Sequence, residues 1–320
     1  MTALQPVPRT ALAAPPVRAL FERVVLAIDF GSASLGAARW STTNVARHTH
    51  AILSHVVPLA ERSDGDSGRI AAQIETFDRV VPTLSGGLDG FGATLEVASV
   101  RSLLRVGRPS QWLSAIANGA ETSLVVLGRR GDANRKRIGE PNVIERLARR
   151  TSASVLVVPE GTTEPPRHIV AAVDEGGSAA AVLRVARALS RLHECPLVVL
   201  YVLSPTTGEY DRVMTSARHV LAGTRSVRLA APLTDPSAPP AGASRWLYEL
   251  ARSEDSSGPV RVKTTVGDPA REIAAVALEY GSTLVVVGKR GADGAPVGSI
   301  GSVARELLTR APVPVLAVSV

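Results

Sequence analysis

Leu284-Val285-Val286-Val287-Gly288-Lys289-Arg290-Gly291 continues through Ala292-Asp293-Gly294-Ala295-Pro296-Val297-Gly298-Ser299-Ile300-Gly301-Ser302. It is an apolar run that ends in a glycine-rich loop and opens a helix. A short valine-rich run bounded by glycine suits a strand buried on both faces, as in a parallel sheet. The passage has an earlier counterpart: Leu124-Val125-Val126-Leu127-Gly128 stands 160 positions upstream. Ser154-Val155-Leu156-Val157-Val158 and Pro314-Val315-Leu316-Ala317-Val318 repeat at the same interval. So do Val106-Gly107-Arg108-Pro109 and Val266-Gly267-Asp268-Pro269. Val24-Val25-Leu26-Ala27-Ile28-Asp29 and Ile169-Val170-Ala171-Ala172-Val173-Asp174 match at 145 instead, so the second copy is longer by about fifteen residues. The stretch from Ala230 to Gly242, with Pro232, Pro236, Pro239 and Pro240, is the natural place for much of that gain and reads as a surface loop.

Each copy alternates short strand patterns with helical ones. Val182, Val185, Ala186 and Leu189 fall on one helix face, and Ala270, Ile273, Ala274 and Ala277 repeat the spacing. In the last helix Val303 and Leu307 correspond to Val143 and Leu147. Strand, helix, strand, helix is the signature of a parallel sheet with right-handed crossovers. The expected fold class is therefore α/β: two tandem doubly wound domains, each a five-stranded parallel sheet flanked by helices. Residues 1–20, with Arg9 and Arg18 among Pro6, Pro8, Pro15 and Pro16, read as a mobile tail. Residues 21–160 form the first domain and 166–320 the second, joined by the linker Pro159 to Pro166. The helix after Asp29 is the least legible, because Gly36, Trp40 and Asn44 interrupt its pattern.

Composition narrows the class. With 320 residues the length suits two domains, and 45% hydrophobic with 20% charged residues suits a globular chain with a real core. Aromatic residues make up only 3%, so Val, Leu, Ile and Ala must fill that core. The single cysteine, Cys195, excludes an intrachain disulfide and a cysteine-rich metal site and reads as a buried small hydrophobe. No apolar run approaches the ~18 residues of a membrane helix, and the N-terminus carries no signal-peptide core. The expected location is the cytoplasm. A net charge of +7 permits anion or nucleic-acid binding without requiring it, and the aromatic–basic interleaving of a stacking surface is missing.

The glycine loop carries the chemistry. It follows a buried strand and precedes a helix, where an open α/β sheet binds ligands. Glycine lets backbone approach a phosphate, and a helix N-terminus offers free N–H groups and partial positive charge. Ser302 adds a hydroxyl. The loop lacks the Gly-Lys-Ser/Thr ending of a P-loop and the spacing of a dinucleotide fingerprint. On glycine content alone, a surface loop with relaxed turns accounts for it equally well.

The segment is similar to the ATP motif of the universal stress protein family: Gly, two residues, Gly, nine residues, Gly, then Ser or Thr. Gly288, Gly291, Gly301 and Ser302 fill every position. Asp174 at the end of strand one, the Gly267–Pro269 turn and the final strand Val313 to Leu316 resemble the same family, over nearly the whole chain beyond residue 20. The resemblance implies an adenine-nucleotide alpha-hydrolase-like fold and a stress-response regulatory module that binds ATP. It places Asp174 beside the adenine or ribose and the backbone of Val202 at the adenine edge. Gly288, Gly291, Gly301 and Ser302 would then cradle ribose and phosphates. Asp174 also suits a helix N-cap, a role compatible with the first, and Val202 equally suits ordinary strand core. Lys289, Arg290 and Asp293 could touch phosphates or hold Mg²⁺.

The first copy departs from the pattern. It keeps Gly128 and Gly131 but has Pro141 and Asn142 where Gly301 and Ser302 stand. Proline has no N–H to donate and adds a ring where glycine left room, so weak or absent ATP binding is expected there. Arg129, Arg130, Arg135, Lys136, Arg137, Arg146, Arg149 and Arg150 cluster around that loop. They suit a solvated basic face, or an anion or polyanion surface whose binding would collapse with salt. His48 and His50 would project to one face of a strand without a further ligand nearby.

A binding or sensing module is favoured over a slow ATPase or phosphotransferase, because the sequence names neither base nor nucleophile. A non-nucleotide interaction protein using the basic patch is the third reading. In the family the final strand commonly pairs two domains. The two copies would then form an internal pseudo-dimer, with Val155–Val158 meeting Val315–Val318. Dimerisation of the whole chain is left open. Nucleic acid and membrane are not expected partners.

Overall fold

The computed structural model describes residues 20–58, 68, 70–77, 97–118, 123–130, 143–174, 176–204, 260–281, 283–290 and 299–319. The Ala230–Gly242 stretch, nearly all of the N-terminal tail, and Gly131, Arg135, Lys136, Arg137, Pro141, Asn142, Gly291 and Asp293 lie outside these residues.

The first repeat supplies strands β1 (Arg23–Ile28), β2 (His50–Val57), β3 (Ser99–Val106), β4 (Ser123–Arg129) and β5 (Ser154–Pro159). Its helices are α1 (Ser32–Asn44), α2 (Pro109–Ala117) and α3 (Val143–Arg150), with a further helical turn set over 70–77. The second repeat supplies β6 (His168–Ala172), β7 (Leu197–Leu203), β8 (Val260–Val266), β9 (Thr283–Gly288) and β10 (Val315–Val318). Its helices are α4 (Ala179–Leu192), α5 (Pro269–Glu279) and α6 (Ser302–Arg310).

The ten strands form one sheet in the order β3-β2-β1-β4-β5-β10-β9-β6-β7-β8. Within each repeat all pairings are parallel. The repeats are joined where β5 and β10 pair antiparallel, with Val157 opposite Val315, Leu156 opposite Leu316 and Val155 opposite Ala317. These are the strands expected to meet. The two five-stranded sheets are thus one continuous ten-stranded sheet, because the apolar edge that each repeat would expose is the other's pairing partner.

Helices cover both faces. Val24, Leu26, Leu124 and Val126 point to one face and pack with α1 and α4; Val25, Val125 and Leu127 point to the other with α2, α3, α5 and α6. This two-sided burial is why the strands read as unbroken apolar runs rather than alternating ones. The helical spacing of the second repeat faces the core: Val182, Ala186, Leu189, Ala270, Ile273 and Ala277 are buried, and Val185 and Ala274 partly so. Cys195 is buried as well. The Gly-x-Pro turns place Gly107 and Gly267 at φ +138° and +156°, which L side chains rarely adopt, and start α2 and α5 on Pro109 and Pro269.

Helix α1 is regular despite its obscure sequence. It buries Ser41, Thr42 and Asn44, whose side chains donate to carbonyls three or four residues back, at Ala38 and Trp40. Trp40 lies in the core and its indole N–H reaches the Glu164 carbonyl at 2.8 Å, which ties the linker to the first repeat. No described helix is long and apolar enough to cross a membrane.

Candidate functional site

In each repeat the strand order reverses direction between the first strand and the fourth, at β1/β4 and at β6/β9. Ligand crevices of open α/β sheets lie at the carboxyl ends of strands at such a switch point. In the second repeat two segments meet there: the chain leaving β6 at Asp174 and the chain leaving β9 at Gly288. The Ser178 hydroxyl donates to the Arg290 carbonyl at 3.1 Å. Gly288 lies so close that a Cβ on it would stand 2.2 Å from the Ser178 Oγ. Gly288 is therefore required by strand–helix packing before any ligand is considered. Asp174 accepts the Gly176 N–H at 3.0 Å. It is not the N-cap of α4, since Ser178 occupies that position. Val202 lies on the neighbouring strand β7, half-buried at its carboxyl end.

The far end of the loop is fastened to its start. The Gly301 N–H donates to the Lys289 carbonyl at 2.9 Å, and the Lys289 N–H donates to the Val318 carbonyl at 2.8 Å. Gly301 is the N-cap of α6 in an extended conformation without a side-chain cap. Ser302, exposed, opens the helix. The first turn of an α-helix has N–H groups without intrahelical partners, so this end of α6 presents donors and partial positive charge. The Arg290 side chain is half-buried, with Nε 3.5 Å from the Ser299 carbonyl.

Lys289 goes elsewhere. Its side chain is 2% exposed. Its ammonium donates to the carbonyl of Thr151 and, at 3.4 Å, to that of Ala153, both in the first repeat. Burial, helped by the neighbouring Arg290 guanidinium, pushes its pKa down to about 8. The lysine at a loop position where phosphate contact was expected has its ammonium committed to the other repeat.

The first repeat has the same strand order with a different mouth. Asp29 accepts the Gly31 N–H at 2.9 Å, the Ser34 hydroxyl at 2.6 Å and the Arg130 guanidinium at 2.7 Å. Burial pushes the Asp29 carboxyl up, but these three donors outweigh it and hold the carboxyl below its ordinary value. Phe30 follows at φ +62°, an outlier for a bulky residue. Its ring lies 4.7 Å from that of His55 and 6.3 Å from that of Phe77. His55, at the carboxyl end of β2, lies 2.6 Å through Nδ1 from the Ile28 carbonyl, so Nδ1 carries the proton. Gly128 packs against α1 so tightly that a Cβ would stand 2.1 Å from the Ala33 carbonyl oxygen.

Sequence reasoning missed Phe30, His55 and Phe77, since two phenylalanines and a histidine spread over 48 positions show no spacing. It counted Arg130 only as part of a charge cluster. The His48/His50 pair is corrected: His48 sits at φ +57° ahead of β2, which begins at His50, so the two do not share a strand face. Among the described residues no group of metal-ligating side chains occurs.

The universal stress protein family model matches residues 20–159 and again residues 166–319. The solved structure of a universal stress protein from Archaeoglobus fulgidus DSM 4304 aligns over 93% of this chain and 98% of its own. The two are 18% identical, with a TM-score of 0.61. A protein of unknown function from Pseudomonas aeruginosa PAO1 aligns over 93% of this chain and 92% of its own, at 15% identity and a TM-score of 0.51. At these identities the structural likeness speaks for the fold. Comparison with curated proteins gives no match. The family model covers both repeats and nearly all of the chain: this protein belongs to the universal stress protein family, in tandem form.

Proposed function

We propose that this chain is a stress-response regulatory protein, acting in the cytoplasm, that binds one ATP per molecule, in the second repeat. The observation that carries this reading is the Gly301-to-Lys289 backbone bond. It draws Gly288, Gly301 and Ser302 together at the carboxyl ends of β6 and β9. Donors match a phosphate chain there: the first turn of α6, the Ser302 hydroxyl and the half-buried Arg290 guanidinium. Asp174 supplies an acceptor suited to ribose hydroxyls, and Val202 lies along β7 on the side where the adenine would rest. Gly291 completes the motif in sequence. Lys289 takes part through its backbone. ATP bound there brings a polyanion and a purine; the chain's own residues bind and orient it, and Mg²⁺ would neutralise the phosphates further.

The first repeat is read as nucleotide-free. Arg130 is already paired with Asp29, and the Phe30 ring packs, tilted, against His55 at the end of β2. Calorimetric titration of nucleotide-stripped protein with ATP tests the assignment. One site per chain, lost in Gly301→Arg, is expected. No binding, or a Gly301→Arg variant that binds like the parent, overturns it.

A further inference from the structure

Lys289 has a mirror image. Arg129, 160 positions upstream, likewise follows the first motif glycine of its repeat, and its guanidinium donates to the carbonyl of Ala311. Ala311 is the C-cap of α6. Thr151, which accepts from Lys289, stands 160 positions before Ala311 and directly follows α3. Each repeat therefore sends the cation that follows its first motif glycine into the C-terminus of the other repeat's last helix. A cation there meets the negative end of the helix dipole and the last unpaired carbonyls.

The two crossings differ in what they hold. Lys289 is a buried ammonium with carbonyl acceptors in the first repeat, and a buried charge stripped of such partners is strongly unfavourable. The same residue's carbonyl holds the Gly301 N–H and its N–H is held by Val318. One residue thus touches the N-terminus of α6, the end of β10 and the end of α3. The interface around it is continuous: β5 pairs with β10, the Ser319 N–H donates to the Ser154 hydroxyl at 3.1 Å, and Glu145 of α3 lies 3.7 Å from Arg305 of α6.

We infer that Lys289 is a positioning residue that makes the glycine loop of the second repeat depend on the first repeat: its ammonium, seated on the Thr151 and Ala153 carbonyls, sets the backbone that fixes Gly301. This rests on the reading of that loop as the ATP site. It assigns the first repeat a role, as the anchor for its neighbour's ligand loop. Linkage runs both ways, so occupancy of the loop tightens the seat on α3 by the same factor by which the seat tightens binding.

The test uses the full chain. Amide hydrogen exchange of nucleotide-free protein is compared for the parent, Lys289→Met, Lys289→Gln and Arg129→Met, and ATP affinity is measured on the same set. Lys289→Met should speed exchange at residues 299–302 at least fivefold and weaken ATP at least tenfold. Lys289→Gln, which keeps a donor, should recover part of both, and it carries the test if the Met variant does not fold. Arg129→Met, which cuts the mirror crossing, should leave exchange at 299–302 unchanged. The inference is overturned if removing the ammonium leaves residues 299–302 exchanging as in the parent, or if Arg129→Met loosens them equally. If the parent itself binds no ATP, the nucleotide reading falls, and exchange at 299–302 alone then decides the role of Lys289.

Discussion

The first glycine of each loop offers the sharpest test of what these glycines do. In Gly128→Ala the added methyl would lie 2.1 Å from the Ala33 carbonyl oxygen, 2.3 Å from its carbon and 2.5 Å from the Ser34 nitrogen. All three atoms are backbone at the start of α1, so no rotamer relieves the contact. The helix would have to withdraw by about 1 Å from β4, which opens the core it covers. Overpacking of this kind costs roughly 1–3 kcal/mol, and a clash with backbone belongs at the upper end. At about 3 kcal/mol the melting temperature of a domain this size falls by about 6–12 °C.

Gly288→Ala meets chiefly a side chain, the Ser178 hydroxyl at 2.2 Å and its Cβ at 2.8 Å, with the Arg290 carbonyl oxygen at 3.0 Å. It should cost about 2 kcal/mol, and Ser178→Gly should restore most of that, since glycine is tolerated at an N-cap for a few tenths of a kcal/mol. Urea unfolding followed by the fluorescence of buried Trp40, with ATP titration in parallel, measures both effects. The reasoning is refuted if Gly128→Ala is within 0.5 kcal/mol of the parent, or if Ser178→Gly fails to rescue Gly288→Ala. A Gly288→Ala variant that loses ATP at full stability would refute it too, for the glycine would then serve the ligand directly.

Two predictions concern pH. The Asp29 carboxyl is held below its ordinary value in the folded chain, so the unfolded chain takes up the proton first as acid is added. Its stabilisation is present above about pH 4 and is lost as pH falls through the folded value; the acid limb of a denaturation profile should flatten in Asp29→Asn. Lys289 runs the other way. Its pKa drops from 10.5 to about 8, so between those values the unfolded chain holds more protons and stability rises with pH. The stability of the parent relative to Lys289→Met should therefore increase between pH 8 and pH 10, and a constant difference in denaturation midpoints would contradict this.

The sheet was legible because burial on both faces writes itself as apolar runs: the repeat located β4, β5, β9 and β10 at an interval of 160 and β1 and β6 at 145, and its Gly-x-Pro turns marked the ends of β3 and β8. The meeting of Val155–Val158 with Val315–Val318 followed from the family resemblance, and its antiparallel direction shows only in the assembled sheet. Helix α1 was obscure because its buried face includes Ser41, Thr42 and Asn44, which satisfy their polar atoms on their own helix. A hydrophobic period cannot register a polar residue that carries its own partner. The loop residues Gly288, Gly301 and Ser302 were legible by type and spacing. The direction of Lys289 was not, since nothing in Gly-Lys-Arg-Gly says whether the ammonium turns to a phosphate or to carbonyls in another repeat. The aromatic cluster of the first repeat was also hidden, because residues 30, 55 and 77 meet only once β1, β2 and the helical turns over 70–77 are assembled.

That cluster changes how the first repeat's loss of the motif should be understood. Pro141 and Asn142 alone suggest that restoring glycine and serine would restore a site. The mouth argues otherwise. Arg130 and Asp29 are paired at 2.7 Å, and Asp29 is also held by Ser34 and Gly31. Phe30 holds a left-handed backbone conformation that costs on the order of 1–3 kcal/mol, sustained by its contacts with His55 and Phe77. A nucleotide entering there would have to displace the guanidinium and pull the phenylalanine from its ring contacts before gaining one of its own. Pro141→Gly with Asn142→Ser should therefore leave the stoichiometry at one ATP per chain. Adding Arg130→Gly and Phe30→Gly to that pair removes both obstructions, and a weak second site is then expected. A second site that appears with the Pro141 and Asn142 changes alone would mean that the Arg130–Asp29 pair and the Phe30 ring contacts yield readily, and that proline was the barrier.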